Sequence, residues 1–529
     1  MTATTFRGCF VERAAQKIVF PKQADAVIGR EGEMKRGRAG GMLFRLPWEQ
    51  ALLNFLYLGN QHNTYYASRD DMNYSALKVL ISEADPLSAV DIIGEHRYKI
   101  PRPKNAVGVY AVLLAIERNP DIAKRLREAF GKIIKNGSDL LYFVKIYKSL
   151  GGSWGRGMRS TIEKFYKHLH DIGLLEYTVT KYRSRWGGWS QRDVLRLAHP
   201  RPLADYADVF KWVVSGEFSD SLSNTAIEAY MDIVSGADPL GVVDKYLQLD
   251  NRAIIMWELF PTDVLRSKEL WLKLLDGGVV GGRALLRNMR RFAQIGLLDT
   301  QRGANVVAEA IRDTTKTTSP MLILLAALAL QYEDAAFKPM VLRQLDHAFG
   351  RSFANGVGPQ FTNTDKPLAI IVDKSASMNY CNGCLANPMV LAHALAGVLA
   401  RSWSCNTVDL YVDTSVQTAN FAGVAPSALS LVRADGGGTH LDKAIGYLIN
   451  KKIEPAAVVM ISDMETYGSR HVFQLVDELR GQTNMGFFAI NVVGGENTIA
   501  DTANQNDINM AGFDPSMLDV IAAKINGEF

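Results

Sequence analysis

Cysteine is scarce in this chain. Four residues among 529, Cys9, Cys381, Cys384 and Cys405, are too few to staple a protein of this length, so stability must come from a packed core. Cys381 and Cys384 form a CxxC pair, but no second pair stands at zinc-site spacing, and reduced structural thiols are expected. Long apolar runs are missing too. The longest, Met321 to Leu330, falls well short of the ~20 residues that span a bilayer, which predicts a buried helix and no membrane span. The opening residues MTATTFRGCFVERAAQK hold no continuous apolar core of the kind a translocation signal needs, so a cytoplasmic location is expected. There is no P-loop and no HExxH, and no nucleophile is convincingly paired with a histidine and an orienting acid. The expectation is a protein that binds and does not catalyse.

Net charge is also small, +4, yet it is unevenly laid. Residues 362–529 hold 10 Lys and Arg against 17 Asp and Glu, a net of −7, which leaves +11 for residues 1–361. Residues 145–201 alone carry 12 against 4, a net of +8. A solvated helical surface normally mixes signs. A one-signed stretch with interleaved aromatics has the electrostatic form of a nucleic-acid binder, and a membrane surface or an acidic protein partner would meet it similarly. With 47% hydrophobic and 22% charged residues the chain is a folded protein, and its length predicts two to four structural units.

From about Leu46 to Leu345 apolar residues recur at three- and four-residue spacing: Trp48, Leu52, Phe55 and Leu56; Ile122, Leu126, Phe130 and Ile133; Leu140, Phe143, Val144 and Tyr147; Met321, Leu324, Leu325 and Leu328. A long series of medium helices with short connectors predicts helical hairpins stacked as a solenoid similar to HEAT repeats, with an irregular bundle as the alternative. Two basic stretches break the pattern. Gly29–Gly41 (GREGEMKRGRAGG) reads as a mobile loop, and His96–Asn105 (HRYKIPRPKN) as a connector displaying Arg97, Lys99, Arg102 and Lys104. After about Asn363 the period changes. Leu368–Val372, Val408–Val412, Val458–Ile461 and Phe487–Val493 read as buried strands, alternating with helices over Pro388–Trp403, Leu441–Asn450, His471–Leu479 and near Pro515–Ile525. That alternation predicts a doubly wound, Rossmann-like parallel sheet, with ligands bound beyond the carboxyl ends of its strands.

At those ends stand Asp373, Ser375 and Ser377 (DKSAS), Thr439 after Gly436-Gly437-Gly438, and Asp463. Oxygen ligands with so little charge suit Mg²⁺, or Mn²⁺, far better than zinc. The pattern resembles the metal-ion-dependent adhesion site of von Willebrand factor A domains. By that resemblance the first loop supplies three ligands, the second Thr439, and the third Asp463 through water. His393 and His440 read as packing or surface histidines. A nuclease would need more carboxylates around the ion.

The +8 segment contains GGSWGRGMRSTIEKFYKHL (Gly151–Leu169) and VTKYRSRWGGWSQRDVLRLAHPRP (Val179–Pro202). Arg156, Arg159 and Lys164 begin one helix, and Lys181, Arg183 and Arg185 precede Trp186, Trp189 and another; helix N-termini favour phosphates, and aromatics beside cations can stack bases. These segments, with Gly59-Asn60 and Thr64-Tyr65-Tyr66-Ala67 upstream and MISDMETYG (Met460–Gly468) and NMAGFDPSMLDVI (Asn509–Ile521) downstream, resemble the Ro autoantigen family, and its bacterial members most. The resemblance implies a ring of HEAT-like repeats, the RNA-binding TROVE module, over residues 1–361, and a von Willebrand factor A domain over 362–529. It implies small noncoding Y RNAs on a basic outer surface, single-stranded 3′ ends of misfolded or structured RNAs in the ring, and a 3′-to-5′ exoribonuclease as partner in RNA quality control, rRNA processing or decay under stress. Lys181, Arg183, Arg185 and Arg192 are then the Y RNA candidates, with Lys99, Arg102 and Lys104 as a second group. Animal members have a histidine where this chain has Gln191, which leaves that contact hydrogen-bonding but uncharged. A self-closed ring would be monomeric. The rival reading is a metal-dependent interaction scaffold whose basic face meets acidic proteins.

Overall fold

Proline punctuates the helices. Pro86, Pro103, Pro120, Pro239, Pro320 and Pro388 each open one, at a position whose N–H has no helical partner and whose φ the pyrrolidine ring presets. Asp85, Asn119, Asp238 and Asn387 stand just before four of them and accept hydrogen bonds from the next unpaired N–H groups. The structure, a computed structural model, describes residues 34–36, 42–44, 48–59, 64–66, 77, 81, 84–100, 102–183, 187–201, 204–249, 255–362, 365–379, 387–434, 437–464, 466, 471–481, 483–493, 498–501 and 504–529.

Helices run from Trp48–Leu58 to Lys338–Ala354. The apolar seams read from the sequence are buried: Leu52, Phe55 and Leu56; Leu126, Phe130 and Ile133; Leu140, Phe143, Val144 and Tyr147; Met321, Leu324 and Leu328. Neighbouring helices pack on these seams, Pro103–Ile116 against Gly137–Ser149 and Pro320–Gln331 against Lys338–Ala354. Each fully buried large side chain contributes about 1.5–3 kcal/mol, so the series holds together without cross-links.

Nine strands are present among the described residues. β1 (Met34–Arg36) and β2 (Met42–Phe44) form an antiparallel pair, so the Gly- and Arg-rich stretch read as a loop contains a strand. The others are β3 (Thr64–Tyr66), β4 (Leu368–Asp373), β5 (Thr407–Val412), β6 (Val416–Thr418), β7 (Ala457–Ser462), β8 (Gly486–Asn491) and β9 (Asp507–Ala511), joined in one sheet of order β3-β9-β8-β7-β4-β5-β6. All neighbours are parallel except β6, which turns back on β5. Leu368, Ile370 and Val372 face one core and Ala369 and Ile371 the other, the period of two that a sheet covered on both faces requires. The first of these cores is continuous with that of the helical series.

β3 comes from the N-terminal part of the chain, yet it adds to the far edge of the C-terminal sheet, pairing Tyr65 with Met510. At the other end of the helical series, Gln331 donates to the Pro426 carbonyl at 2.6 Å and accepts from the Ser430 N–H at 2.8 Å, while Asp346 accepts from the Ser427 N–H at 2.8 Å. The helices therefore leave the α/β domain and return to it. They form a HEAT-like ring closed by a von Willebrand factor A domain.

Candidate metal site and basic surface

β4 lies between β7 and β5, where the strand order reverses and a doubly wound sheet opens a crevice. Asp373 ends β4 there and is fully buried. Its Oδ1 accepts from the Ser375 N–H at 2.8 Å and its Oδ2 from the Ser462 hydroxyl at 2.6 Å. The Ser375 and Ser377 hydroxyls are 3.1 Å apart. Thr439 is buried in the second loop, which the His440 N–H pins to the Asp413 carbonyl at 3.0 Å. Gly437 at φ +110° makes the turn into it, a backbone that a side chain would strain. The Thr466 hydroxyl donates to the Thr439 carbonyl at 3.4 Å, and the Met464 N–H to Ser462 Oγ at 2.9 Å, so the loop carrying Asp463 is tied to both others.

Burial above all, with the charge of Asp463 adding to it, pushes the Asp373 carboxyl up to about 6, against opposing hydrogen bonds from Ser462 and Ser375. Lys374, the adjacent residue, places its Nζ 5.1 Å from the centre of the Tyr411 ring. A buried carboxylate that feels a second one and is flanked by hydroxyls is a donor set that fits a hard divalent cation. No group of three or more His, Cys, Asp or Glu that could hold a metal ion occurs among the described residues. His393 is a packing residue: its Nδ1 is 3.0 Å from the Met389 carbonyl, its Nε2 bonds the Tyr411 hydroxyl, and burial pushes its pKa down to about 4. Gly436, Cys381 and Cys384 lie outside the described residues; Cys405 is half-buried and free.

The basic residues separate into those facing water and those used by the fold. Arg156, Arg159 and Lys164 are exposed on the helix Arg156–Asp171, whose N-cap Gly155 makes no side-chain cap. Its first N–H groups are left for an anion. Arg127, which the sequence reading missed, joins them: its guanidinium packs against Gly157, where an added Cβ would meet it at 2.8 Å. The signal was only indirect, a glycine in the first turn of a long helix. Arg183 is exposed and lies 4.3 Å from the Trp212 ring centre and 5.3 Å from that of Tyr230. Gly187 and Gly188, at φ +60° and +90°, then turn the chain into Ser190, which forms a capping box with Asp193. Arg192 is exposed on the helix that follows.

Several of the predicted residues already have partners within the fold. Gln191 has no exposed surface; its Oε1 accepts from the Tyr166 hydroxyl at 2.6 Å, so an amide that faces the core offers RNA nothing in this conformation. Lys181 ends a helix and is held by the Tyr177 hydroxyl at 2.7 Å and Glu258 at 3.0 Å, beside a cleft of about 390 Å³ lined by Tyr177, Trp257, Glu258 and Arg283. Arg97 is not displayed but buried in an ion pair with Asp139 at 2.7 Å. Lys104 lies in the first turn of the helix Pro103–Ile116, not on a connector, and half-buried Arg102 reaches Asp514 of the A domain at 3.6 Å. Lys99 and Lys104 are exposed. Arg185 and Trp186 lie outside the described residues.

A protein-family model described as the TROVE domain matches residues 96–232, the stretch that holds both basic groups. The RNA-binding protein RO60 of Deinococcus radiodurans is 25% identical over 93% of this chain and 95% of its own length. The RNA-binding protein RO60 of Caenorhabditis elegans is 20% identical over 96% of this chain and 92% of its own. The crystal structure of the Deinococcus radiodurans RO (RSR) protein shares the fold with a TM-score of 0.77 at 21% identity, covering 91% of this chain and all of that one.

Proposed function

We propose, on the premise that the chain resembles the Ro proteins over more than nine-tenths of its length, that it is an RNA-binding adaptor with no chemistry of its own. Small noncoding Y RNAs would lie on the outer surface built by Arg127, Arg156, Arg159, Lys164, Arg183 and Arg192. Single-stranded 3′ ends of misfolded or structured RNAs would enter the ring, beside a 3′-to-5′ exoribonuclease engaged in RNA quality control, rRNA processing or decay. The observation that carries this reading is the cluster of exposed Arg156 and Arg159 with half-buried Arg127 around an uncapped helix N-terminus within the matched module. There free N–H groups, the helix dipole and fixed guanidinium groups all favour phosphate.

Mg²⁺, or Mn²⁺, would be held by Asp373, Ser375, Ser377, Thr439 and Asp463. When bound it supplies a position for an oxygen of a partner. This chain's residues supply the cradle: Ser462 and the Ser375 N–H orient the Asp373 carboxylate, and the Thr466 hydroxyl joins the second and third loops.

Filter binding of a structured RNA over a salt series tests the RNA reading. Counterion release predicts affinity falling about 10³-fold or more between 50 and 200 mM salt for six or more phosphate contacts. Charge reversal at Arg156, Arg159 and Arg183 should flatten that slope. Unchanged affinity in the reversed variant would remove the surface, and protein isolated from cells without RNA would favour the scaffold reading.

A further inference from the structure

Tyr98 is the most exposed aromatic among the described residues, at 77%. Its neighbours force it outward. Arg97 is drawn inside, where its Nε donates to the Ile133 carbonyl at 2.7 Å and its Nη2 to Asp139 at 2.7 Å. Ile100 is buried as well, and the N–H groups of Lys99 and Ile100 both donate to the His96 carbonyl, at 2.9 and 3.1 Å. The turn is thus anchored on both sides of an aromatic ring that it holds in water. Lys135 sets its Nζ 5.4 Å from the ring centre while donating to the Gly131 carbonyl at 3.0 Å, so this cation is also fixed in place. Lys99 and Lys104 are exposed nearby in the sequence, and no acidic residue interrupts residues 96–105.

A scattered exposed apolar side chain is ordinary. A rigidly presented ring with a fixed ammonium beside it, in a stretch without negative charge, is the combination that holds single-stranded nucleic acid. The base stacks on the ring and the cations take up the neighbouring phosphates. We propose that Tyr98 is a stacking platform for an unpaired RNA base, with Lys135 and Lys99 receiving the adjoining phosphates. This rests on the reading of the chain as an RNA binder and adds to it a residue that reads bases in single strands.

The test uses the full chain and a short single-stranded RNA carrying 2-aminopurine. Binding to the parent protein should quench the probe. Y98A should bind about tenfold more weakly and lose the quenching, as the loss of one base–aromatic stack implies, while Y98F keeps both within twofold. Y98A binding and quenching like the parent, in a protein whose affinity still falls on reversing Arg156 and Arg183, removes the platform and leaves the RNA surface standing. A parent protein that binds neither this strand nor a structured RNA removes both.

Discussion

Tyr57 stacks face to face on Phe529, their ring centres 4.5 Å apart and their planes within 11°. The Tyr57 hydroxyl also donates to Glu528 at 2.9 Å, across 471 positions of sequence, and lies 2.9 Å from His96 Nδ1. With the β3–β9 pairing these contacts join the first helix of the ring to the last residues of the A domain. They close the circuit that the helices begin.

Phe529→Ala should therefore loosen the seam and leave the two cores intact. The expected cost is about 2–4 kcal/mol, from the lost stack and the cavity it leaves. Hydrogen exchange should show faster opening of the Thr64–Tyr66 backbone but not of β4 or β7. Equal protection in all three strands would mean that the stack does not hold the ring closed.

The Arg97–Asp139 pair is 5% and 8% exposed at its side chains, so losing one member strands the other charge in the core. Asp139→Ala is expected to destabilise the protein by about 3–5 kcal/mol. Urea unfolding measures this directly, and a change below 1 kcal/mol would show that water replaces the lost carboxylate.

Mg²⁺ should raise the melting temperature at pH 8 and have little effect at pH 5. The sign follows from Asp373, whose carboxyl, raised to about 6 by burial, must lose its proton before it can take a cation. Without metal, that raised pKa makes the ionised form a burden to the fold, one that grows as pH rises from about 4 through 6. Asp373→Asn should consequently be no less stable than the parent without metal, yet unresponsive to Mg²⁺ in a thermal melt. A parent protein that gains as much from Mg²⁺ at pH 5 as at pH 8 would place the ion elsewhere.

His393 acts in the opposite direction. Burial lowers its pKa to about 4, so between pH 6.5 and 4 the unfolded chain takes up a proton that the native state refuses. Stability is lost as pH falls through this window, by about 2 kcal/mol at pH 5. His393→Phe should reduce the difference in unfolding free energy between pH 7 and pH 5 by about that amount, and an unchanged difference would assign the acid sensitivity to other groups.

Much of this was legible in one dimension because the signals were local. The strands β4, β7 and β8 appeared as apolar runs and β5 as an alternating one, and the helix Leu441–Asn450 was predicted with the bounds it has. β9 was missed because Asp507 and Asn509 break its apolar pattern; Asp507 is buried against Arg480, a partner 27 positions away. β3 was missed because a three-residue strand exists only through the edge it joins.

The same division runs through the sites. The sequence by itself offered the five oxygen donors proposed for a cation: Asp373, Ser375, Ser377 and Asp463 follow strands whose burial the apolar pattern already declares, and Thr439 follows a run of glycines that marks a loop. It also determined where positive charge accumulates. Only the tertiary structure decided which of those charges face outward. Arg97 and Lys181 look like their neighbours in sequence, but Arg97 is buried against Asp139, which leaves nothing for a phosphate, while Lys181 stays partly exposed beside Glu258. Tyr98 was one letter in a basic run, and became a platform because Arg97 and Ile100 are held inside on either side of it.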